Sequence, residues 1–582
     1  MKTTAMAIVI VLGSAAVAPA GWYSVDGIDT ADFINSSSML SEGVEAFIGT
    51  DKAIYRRGEN VRMFFKLTNL RDDHVTSMSP HIPAFHFIVQ KDGQTIWRQA
   101  HVFSHMVVVL DLPPGASKGR VGKWDMRDDN GNVVGTGTFE VVEAMDWLVL
   151  RETWDGGDPF ADPGDLIPFA DNPRVPITVI PYVPLTGNRG PLDSALQQIA
   201  VDGGNSITTA LTTLQTSAQA CSAYDQLSGQ SRPPLAPVTT AGTTRSMAVV
   251  SDRMRHSQNG MDYGFGGPLL AMAEPGDTGD TESTWDTQPS GHAFAVGSGT
   301  RHFGDRRWGL WARGYGVFGD RQTETEVPGY QYKVYGTGFG FDYRFTSRLL
   351  FGVTGGCSSG DVAYSVSRDG SDIASTHVGF YGSFNTDSWY LDSVLTYTPL
   401  QYDTERYVDL TGERLTGNFD GRAIGGYFEA GVNWYRNNYC LLQPLAAFQY
   451  SHLAVDGYAE SGGASALTYG PQSYDSYKGS LGLKVTRALG KQTDGCSALI
   501  QLRGRWTHEF GDAGSNVLAH FAGSPDATFI VSDGHLSRDS AVLGAGLSAQ
   551  LNNNTWLSVD YDASLNADGT AHIISGGLVY RH

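Results

Sequence analysis

The chain has 582 residues, a formal net charge of −20 and 71 glycines. The glycines have no Gly-X-Y period, which excludes collagen, and the acidic balance lacks the basic patch of a nucleic-acid-binding protein. The mean hydropathy of −0.21, without a long apolar run beyond the N-terminus, excludes a polytopic helical membrane protein. A membrane β-barrel stays open, because its alternating strands average out in a hydropathy sum.

Residues 1–20 have the features of a secretory signal peptide. Lys2 supplies the positive charge, an apolar segment follows, and three small residues lead up to a cleavage point between Ala20 and Gly21. A membrane anchor is the alternative, but the apolar segment is short for one. Export permits disulfides, yet the cysteines are too few and too scattered to form a disulfide scaffold; they are Cys221, Cys357, Cys440 and Cys496.

Residues 41–146 predict a small Ig-like β-sandwich. Short β-runs such as Val61–Leu67 and Thr136–Val142 are separated by turn sequences such as Asp92-Gly93. Five histidines fall within 32 residues here, but a metal site is not predicted because His101 and His105 would lie about 13 Å apart along a strand. The five are His74, His81, His86, His101 and His105.

Two acidic linkers and a helical region are predicted between the sandwich and the C-terminal half. Residues 147–190 are acidic and proline-rich, and residues 257–300 contain no Lys or Arg. Four aspartates of the first linker could chelate calcium, although their spacing does not fit an EF-hand loop; they are Asp155, Asp158, Asp162 and Asp165. Apolar residues at helical spacing from Ile207 to Cys221 predict an amphipathic helix within 191–256, and Ser246–Arg255 predicts a second. A helix here could pack beneath the N-terminal domain or thread a pore.

Residues 301–582 predict a transmembrane β-barrel. In Cys496–Gly511, apolar residues alternate with charged ones, as expected of a strand between lipid and water. Short turns alternate with longer loops, among them loops near 400–420 and 456–472. Thirteen strands can be counted; setting aside the short Thr528–Val531 leaves twelve, an even number that allows closure. The twelve begin near residues 308, 329, 348, 372, 387, 421, 439, 473, 496, 538, 555 and 570.

The charged face of these strands predicts a wet lumen. Its predicted members are Lys478, Lys484, Arg503, Arg505 and Glu509. A channel or a polypeptide exit route would suit such a lumen, and no residue in it needs to be catalytic.

Several segments, in order, resemble the autotransporter (type V secretion) β-domain. They are Tyr335–Arg344, Gly352–Val362, Trp506–Phe510, Ser537–Ser540 and Leu543–Leu547, together with Ala223–Gln230 ahead of the barrel. The resemblance covers roughly residues 190–582. It implies a barrel that the barrel-assembly machinery inserts among outer-membrane lipids and that brings a passenger to the cell surface or releases it. One departure is His582, which stands where the family usually ends in an aromatic residue.

The N-terminal domain is similar to the intracellular proteinase inhibitor (BsuPI) family. The similar segments are Tyr55–Asn60, Phe65–Asn69, Phe87–Trp97, Leu112–Gly115 and Trp124–Phe139. The resemblance implies protease inhibition, but a fold alone does not establish an activity. The domain is therefore interpreted as a binding or inhibitory module whose partner is a protease or another surface protein.

The sequence as a whole predicts a mainly-β outer-membrane autotransporter that is not an enzyme and needs no cofactor or metal. The sequence has no His-Glu-x-x-His and no P-loop, and it has no Gly-x-Ser-x-Gly elbow or Gly-x-Gly-x-x-Gly turn that leads from a strand into a helix. Two alternatives stay open: a porin-like barrel with a periplasmic Ig-like domain, and a passenger hydrolase with an unrecognised site.

Overall fold

The structure is a computed structural model that forms two compact units. It describes residues 23–24, 30–79, 86–99, 108–145, 149–151, 166–167, 169, 171–230, 235–258, 307–323, 327–365, 367–436, 440–489, 498–512, 514–534, 536–552 and 554–582. The N-terminal unit contains the described residues up to Leu227 with Asp409–Thr411 and Ser524–Phe529, and the barrel unit contains the rest from Ser228.

The N-terminal unit begins with fourteen strands and a 3-10 turn at Thr30–Asp32. The strands are β1 (Tyr23–Ser24), β2 (Asn35–Ser41), β3 (Val44–Thr50), β4 (Ile54–Arg56), β5 (Val61–Asn69), β6 (Val75–Ser79), β7 (His86–Lys91), β8 (Gln94–Arg98), β9 (Val108–Leu112), β10 (Ser117–Trp124), β11 (Gly137–Ala144), β12 (Val149–Arg151), β13 (Leu166–Ile167) and β14 (Arg174–Ile180). Three helices follow, α1 (Arg189–Val201), α2 (Ser206–Leu211) and α3 (Ser217–Leu227).

Two five-stranded sheets share one core in this unit. Their strand orders are β1-β10-β5-β3-β2 and β4-β14-β11-β7-β8, and a four-stranded sheet has the order β13-β12-β6-β9. The core is continuous between the two larger sheets, and in it fully buried Trp124 meets the ring of Phe139 edge-on at 5.8 Å. Burying a large apolar side chain contributes about 1.5–3 kcal/mol, so this core is sufficient to specify a sandwich. β14 lies within the predicted 147–190 linker and pairs with both β11 and β4.

The helix α1 is fixed to the sandwich by buried polar contacts, and α3 packs on α1 through the hydrogen bond of Tyr224 to Asp193. The side chain of Gln197 accepts hydrogen bonds from the backbone N–H groups of Ala53 and Ile54, at 3.0 and 2.9 Å, and donates one to the carbonyl of Ile54. The Gln197 amide group therefore satisfies the backbone groups at the edge of β4 that a neighbouring strand would otherwise bond. Asp193 forms an ion pair of 2.8 Å with Arg56. The predicted helical region is thus divided, since its first three helices belong to the N-terminal unit.

A buried ion pair crosses the sandwich core between β10 and β11. The Arg120 guanidinium lies 3.2 Å from the Glu143 carboxylate and 4.5 Å from the centroid of the Phe87 ring. Glu143 is fully buried, and burial raises the pKa of its carboxyl to about 7 even though Arg120 opposes the shift. Burial likewise lowers the pKa of Arg120. Both pKa shifts favour the neutral form of the group. The cost of removing the two charges from water therefore exceeds their mutual attraction.

The barrel unit contains a helix and seventeen strands. They are α4 (Leu235–Gln258), β15 (Trp308–Arg321), β16 (Tyr330–Arg344), β17 (Leu349–Tyr364), β18 (Gly370–Asn385), β19 (Trp389–Val408), β20 (Glu413–Val432), β21 (Tyr435–Arg436), β22 (Cys440–Val455), β23 (Tyr458–Ala459), β24 (Leu467–Tyr469), β25 (Gln472–Leu489), β26 (Ala498–Glu509), β27 (Asn516–Phe521), β28 (Ser524–Ser532), β29 (Asp539–Asn552), β30 (Thr555–Asn566) and β31 (Gly569–Arg581). None of the four helices among the described residues is both long and apolar enough to cross a membrane.

Twelve of these strands close into a barrel. They are β15 to β20, β22, β25, β26 and β29 to β31. Within this set, each strand pairs antiparallel with the one before and the one after it, and β15 completes the circle by pairing with β31 from Gly309↔Arg581 to Arg321↔Gly569. The twelve-stranded prediction is confirmed, and β28, which contains the segment set aside, lies outside the barrel sheet. Eleven predicted strand starts fall within two residues of the observed ones. The exception is β20, because β19 and β20 extend as a long hairpin in place of the predicted loop near 400–420.

The outer face of the barrel is apolar. Large side chains on alternate positions of the strands are exposed, among them Phe339, Phe341, Leu395, Leu481 and Leu557. A soluble domain rarely exposes so continuous an apolar surface to water. A transmembrane β-barrel presents such a surface to the lipid.

The pH dependence of the sandwich tests the buried pair. Between pH 4.5 and about 7 the folded chain holds a proton on Glu143 that the unfolded chain releases, so stability should fall as the pH rises through this window. Relative to Glu143→Gln, the wild type should lose about 1 kcal/mol per pH unit in the free energy of unfolding. Urea unfolding of a fragment spanning residues 30–230 measures this difference.

Glu140→Gln is the matched control, because Glu140 lies on the same strand with a half-exposed side chain. A pH-independent difference between wild type and Glu143→Gln would contradict the raised pKa.

Candidate functional site

The lumen of the barrel is occupied by α4. This helix contacts the inner side of strands β15 to β20 and β22. On the opposite wall, Arg255 donates to Gln501 of β26 at 3.1 Å, and Arg245 hydrogen-bonds Ser575 of β31. Since strands on every side contact it, the helix lies inside the cylinder.

The helix has a defined direction in the lumen. Near its N-terminal end, the Thr239 hydroxyl lies 2.8 Å from that of Tyr402, in the part of β19 close to the rim with the longer connections. Near its C-terminal end, Arg253 binds Asp342, two residues before β16 ends at a short turn. The helix therefore runs from the rim of the longer connections, the long-loop rim, to the rim of the short turns.

Asp342 is the centre of a buried cluster at the short-turn end. Its carboxylate accepts two hydrogen bonds from Arg253, at 2.8 and 3.1 Å, and one from the Tyr381 hydroxyl at 2.9 Å. Arg581, next to the last residue, lies 3.1 Å away. One carboxylate thus connects the helix to strands at the closure of the barrel, and all four side chains are almost entirely buried.

A second ionic cluster lies in the middle of the lumen. Asp252 of α4 pairs with Arg255 one turn along and with Arg313 of β15 at 3.3 Å. Both arginines also contact Asp560 of β30, Arg255 at 3.2 Å. Charges on the helix and on the wall therefore alternate in sign, and these ion pairs add to the burial of apolar side chains of α4 such as Met247 and Val249.

The predicted lumen residues lie on the inner face of β25 and β26. Lys484 is buried and contacts Glu429, and Arg503 donates to Asp562 at 2.7 and 2.8 Å. The intervening β29 has glycine at 544, where a Cβ atom would approach Nε of Arg503 to 2.6 Å. Glycine at this position is thus what allows Arg503 to reach across a strand.

The other three predicted lumen residues differ from each other in their contacts and their exposure. Lys478 lies 4.0 Å from Glu509 and is partly exposed, while Glu509 accepts a hydrogen bond of 2.6 Å from Ser476. Arg505 lines a cavity beside α4. All five predicted residues therefore face the lumen: Lys478 and Glu509 pair across adjacent strands, and Lys484 and Arg503 carry ion pairs to strands that are not adjacent to their own.

Sequence reasoning missed the acidic partners of these cations. Asp342, Glu429, Asp560 and Asp562 all occupy inward positions of strands. The signal is present in β30, where Asp560 and Asp562 alternate with apolar residues, but the predicted lumen residues are confined to β25 and β26.

Other predicted sites are settled only in part. Among the described residues, no group of three His, Cys, Asp or Glu side chains is placed to hold a metal ion. Cys221 and Cys357 are free thiols. Several predicted positions lie outside the described residues: Ala20, Gly21, His81, His101, His105, Cys496 and the four aspartates from 155 to 165.

Comparison with known proteins identifies the barrel. Residues 310–562 match the family model of the autotransporter beta-domain. The chain is 31% identical over 278 residues to an extracellular serine protease of Serratia marcescens, covering 47% of this chain and 26% of the relative. It is 22% identical over 203 residues to outer membrane protein B of Rickettsia typhi, covering 33% of this chain and 12% of that protein. The chain thus spans about a quarter of the length of the first relative and about an eighth of the second.

Two solved structures are also similar to the barrel. The translocator domain of the autotransporter NalP from Neisseria meningitidis has a TM-score of 0.40 at 15% identity, covering 47% of this chain and 88% of that one. The beta domain of the Bordetella autotransporter BrkA has a TM-score of 0.36 at 20% identity, covering 47% and 99%.

The match to the family model means that the barrel unit is an autotransporter translocator domain, and the chain is an outer-membrane protein. The serine proteases match through the barrel alone, so the match assigns no activity to the N-terminal unit. The similarity of that unit to the BsuPI family stays a prediction.

Removing the central carboxylate of the short-turn cluster should loosen the barrel. Asp342→Asn leaves Arg253 and Arg581 buried without this carboxylate, a change that costs about 3–5 kcal/mol in comparable buried pairs. We expect the full-length variant to convert from the folded to the unfolded gel band at a lower temperature than the wild type. Asp387→Asn, in an exposed short turn, is the control. Equal conversion temperatures for Asp342→Asn and the wild type would show that the cluster does not hold the barrel together.

Proposed function

We propose that this protein is an autotransporter that carries its N-terminal unit to the cell surface and displays or releases it there. The observation that carries the proposal is the direction of α4. The helix enters the lumen at the long-loop rim, and in outer-membrane barrels that rim faces the outside of the cell. The polypeptide that precedes α4 therefore leaves the lumen on the outside.

The lumen limits the state in which a passenger can cross. One α-helix with its side chains, about 10–12 Å across, contacts strands around the wall. Two packed sheets are already about 10 Å apart before their outer side chains are counted, so a folded sandwich is wider than this lumen. Export of an unfolded chain that folds outside fits this width, and the free thiol of Cys221 places no cross-link in its way.

The helix-filled lumen favours a translocator over a porin-like channel. A porin keeps an aqueous channel open, whereas here the ion pairs of Asp252, Arg253 and Arg255 hold α4 across it. The alternative of a passenger hydrolase draws support only from the names of the Serratia relatives, and these match through the barrel alone.

For the passenger we propose an Ig-like binding module with protease-inhibitor character. Its support is the two-sheet sandwich around Trp124 and the BsuPI-like segments, several of which form strands or turns of that sandwich. The partner is then a protease or another protein met at the cell surface.

An inserted epitope tests the surface location. The turn between β7 and β8 is exposed at Gly93, where a positive φ of 75° already breaks the strand. An epitope inserted after Gly93 should bind antibody on intact cells. The same epitope inserted after Asp387, in a short turn, should bind only after the outer membrane is permeabilised.

The reverse pattern, with the Gly93 epitope hidden until permeabilisation, would overturn the autotransporter proposal in favour of a periplasmic N-terminal unit.

Inhibition is tested with the isolated N-terminal unit. Purified residues 30–230 should reduce the activity of at least one member of a panel of serine, cysteine and metalloproteases in a saturable manner, and the heat-unfolded fragment should not. Unchanged activity across the panel would remove the inhibitor assignment and leave surface display untouched, because display is measured by the epitope experiment.

A further inference from the structure

A cavity of about 70 Å³ lies between α4 and the barrel wall, and cations outnumber carboxylates around it. Five basic side chains line it: Arg245, Arg255, Lys484, Arg503 and Arg505. Three acidic side chains line it: Asp252, Glu429 and Asp562. The helix supplies two of the cations and one of the anions, so the cavity exists only while α4 occupies the lumen.

The three carboxylates are already used by other cations of the same cavity. Each has at least one basic partner: Asp562 binds Arg503, Glu429 binds Lys484 and Asp252 binds Arg255. Glu429 also accepts hydrogen bonds from the hydroxyls of Tyr390, at 3.0 Å, and Tyr427. Little acceptor capacity is left on the protein side of the cavity.

Arg505 is the cation of this cavity that forms no ion pair with any of the three carboxylates. It lies on β26, two positions from Arg503 on the same inward face, and among the described residues no carboxylate lies within ion-pair distance of its guanidinium. Its Nε is shielded from solvent and has no hydrogen-bond acceptor in the described part of the chain. The same holds for Nε of Arg245, a side chain 5% exposed. A buried guanidinium N–H group without an acceptor is unfavourable. The cavity therefore favours a ligand that offers anionic oxygens as hydrogen-bond acceptors.

We propose that this cavity binds one inorganic oxyanion, of the class of phosphate or sulfate, with Arg505 as its principal ligand. The planar fork of a guanidinium matches two oxygens of such an anion, and a compact site screened from bulk water strengthens the interaction. Because Arg245 and Arg255 come from the helix and Arg505 from the wall, the bound anion joins α4 to the barrel. The proposal rests on α4 lying in the lumen and is independent of what the N-terminal unit binds.

Calorimetric titration of the folded full-length chain in detergent tests the site directly. Sodium phosphate and sodium sulfate are titrated separately, with sodium chloride adjusted to keep the ionic strength constant. We expect saturable binding of about one oxyanion per chain. Arg505→Gln should weaken it by about 10- to 100-fold, as expected for loss of a charge-assisted hydrogen bond. Arg348→Gln, in an exposed short turn, should bind like the wild type.

Folding of each variant is checked by the heat-dependent gel shift, and Arg505→Lys, which keeps the charge without the fork, should bind with intermediate affinity. The proposal is overturned if the wild type shows only non-saturable heats that chloride reproduces. Equal affinity of folded Arg505→Gln and the wild type would overturn it as well.

Discussion

In the hydrocarbon core of a membrane, no water is available to bond the backbone, so every N–H and C=O group needs a partner within the protein. A sheet meets this requirement only when its first strand pairs with its last. Here β15 and β31 pair over thirteen residue positions, and at the rim the backbones of Trp308 and His582 bond each other twice. The twelve-stranded cylinder, its apolar outer face and its polar interior all follow from this closure.

Closure also determines what the lumen must contain. Inward side chains cannot pack against each other across a twelve-stranded cylinder, so charged residues are tolerated only if they are paired or hydrated. The structure pairs them: Asp342 joins α4 to the closing strands, and Asp560 joins it to the opposite wall. The ion pairs between helix and wall thus neutralise charges that closure of the barrel places in its interior.

The sequence allowed the barrel to be predicted because its signal is local. Alternation in β26 and the even strand count depend on neighbouring residues, and turn sequences located most strand starts. The hairpin of β19 and β20 was missed because charged residues lie on both of its faces, such as exposed Asp403 and buried Arg406, so its sequence resembles a polar loop. The partners of Lys484 and Arg503 were missed for a different reason: Glu429 and Asp562 are distant in sequence, and only the closed register brings them together.

In the N-terminal unit, the β-pattern predicted strands but not their partners. Gln197 caps the edge of β4 from 143 positions away, and no periodicity reports such a contact. The helical pattern around Ile207 was correct in kind, yet it could not say whether a helix packs on the sandwich or fills the lumen. The answer depends on tertiary contacts: α1 is bound to the sandwich and holds α3, whereas α4 carries the arginines that match the acidic wall.

Cross-linking of the first strand to the last tests the account most directly. Ala312 and Leu578 are paired residues of β15 and β31 on the outer face. In a chain whose native cysteines are replaced by serine, Ala312→Cys with Leu578→Cys should form an intramolecular disulfide on oxidation in the membrane. Ala312→Cys with Ile574→Cys, four positions out of register, should not. Failure of the paired cysteines to cross-link, or equal cross-linking of both pairs, would contradict a closed barrel in this register.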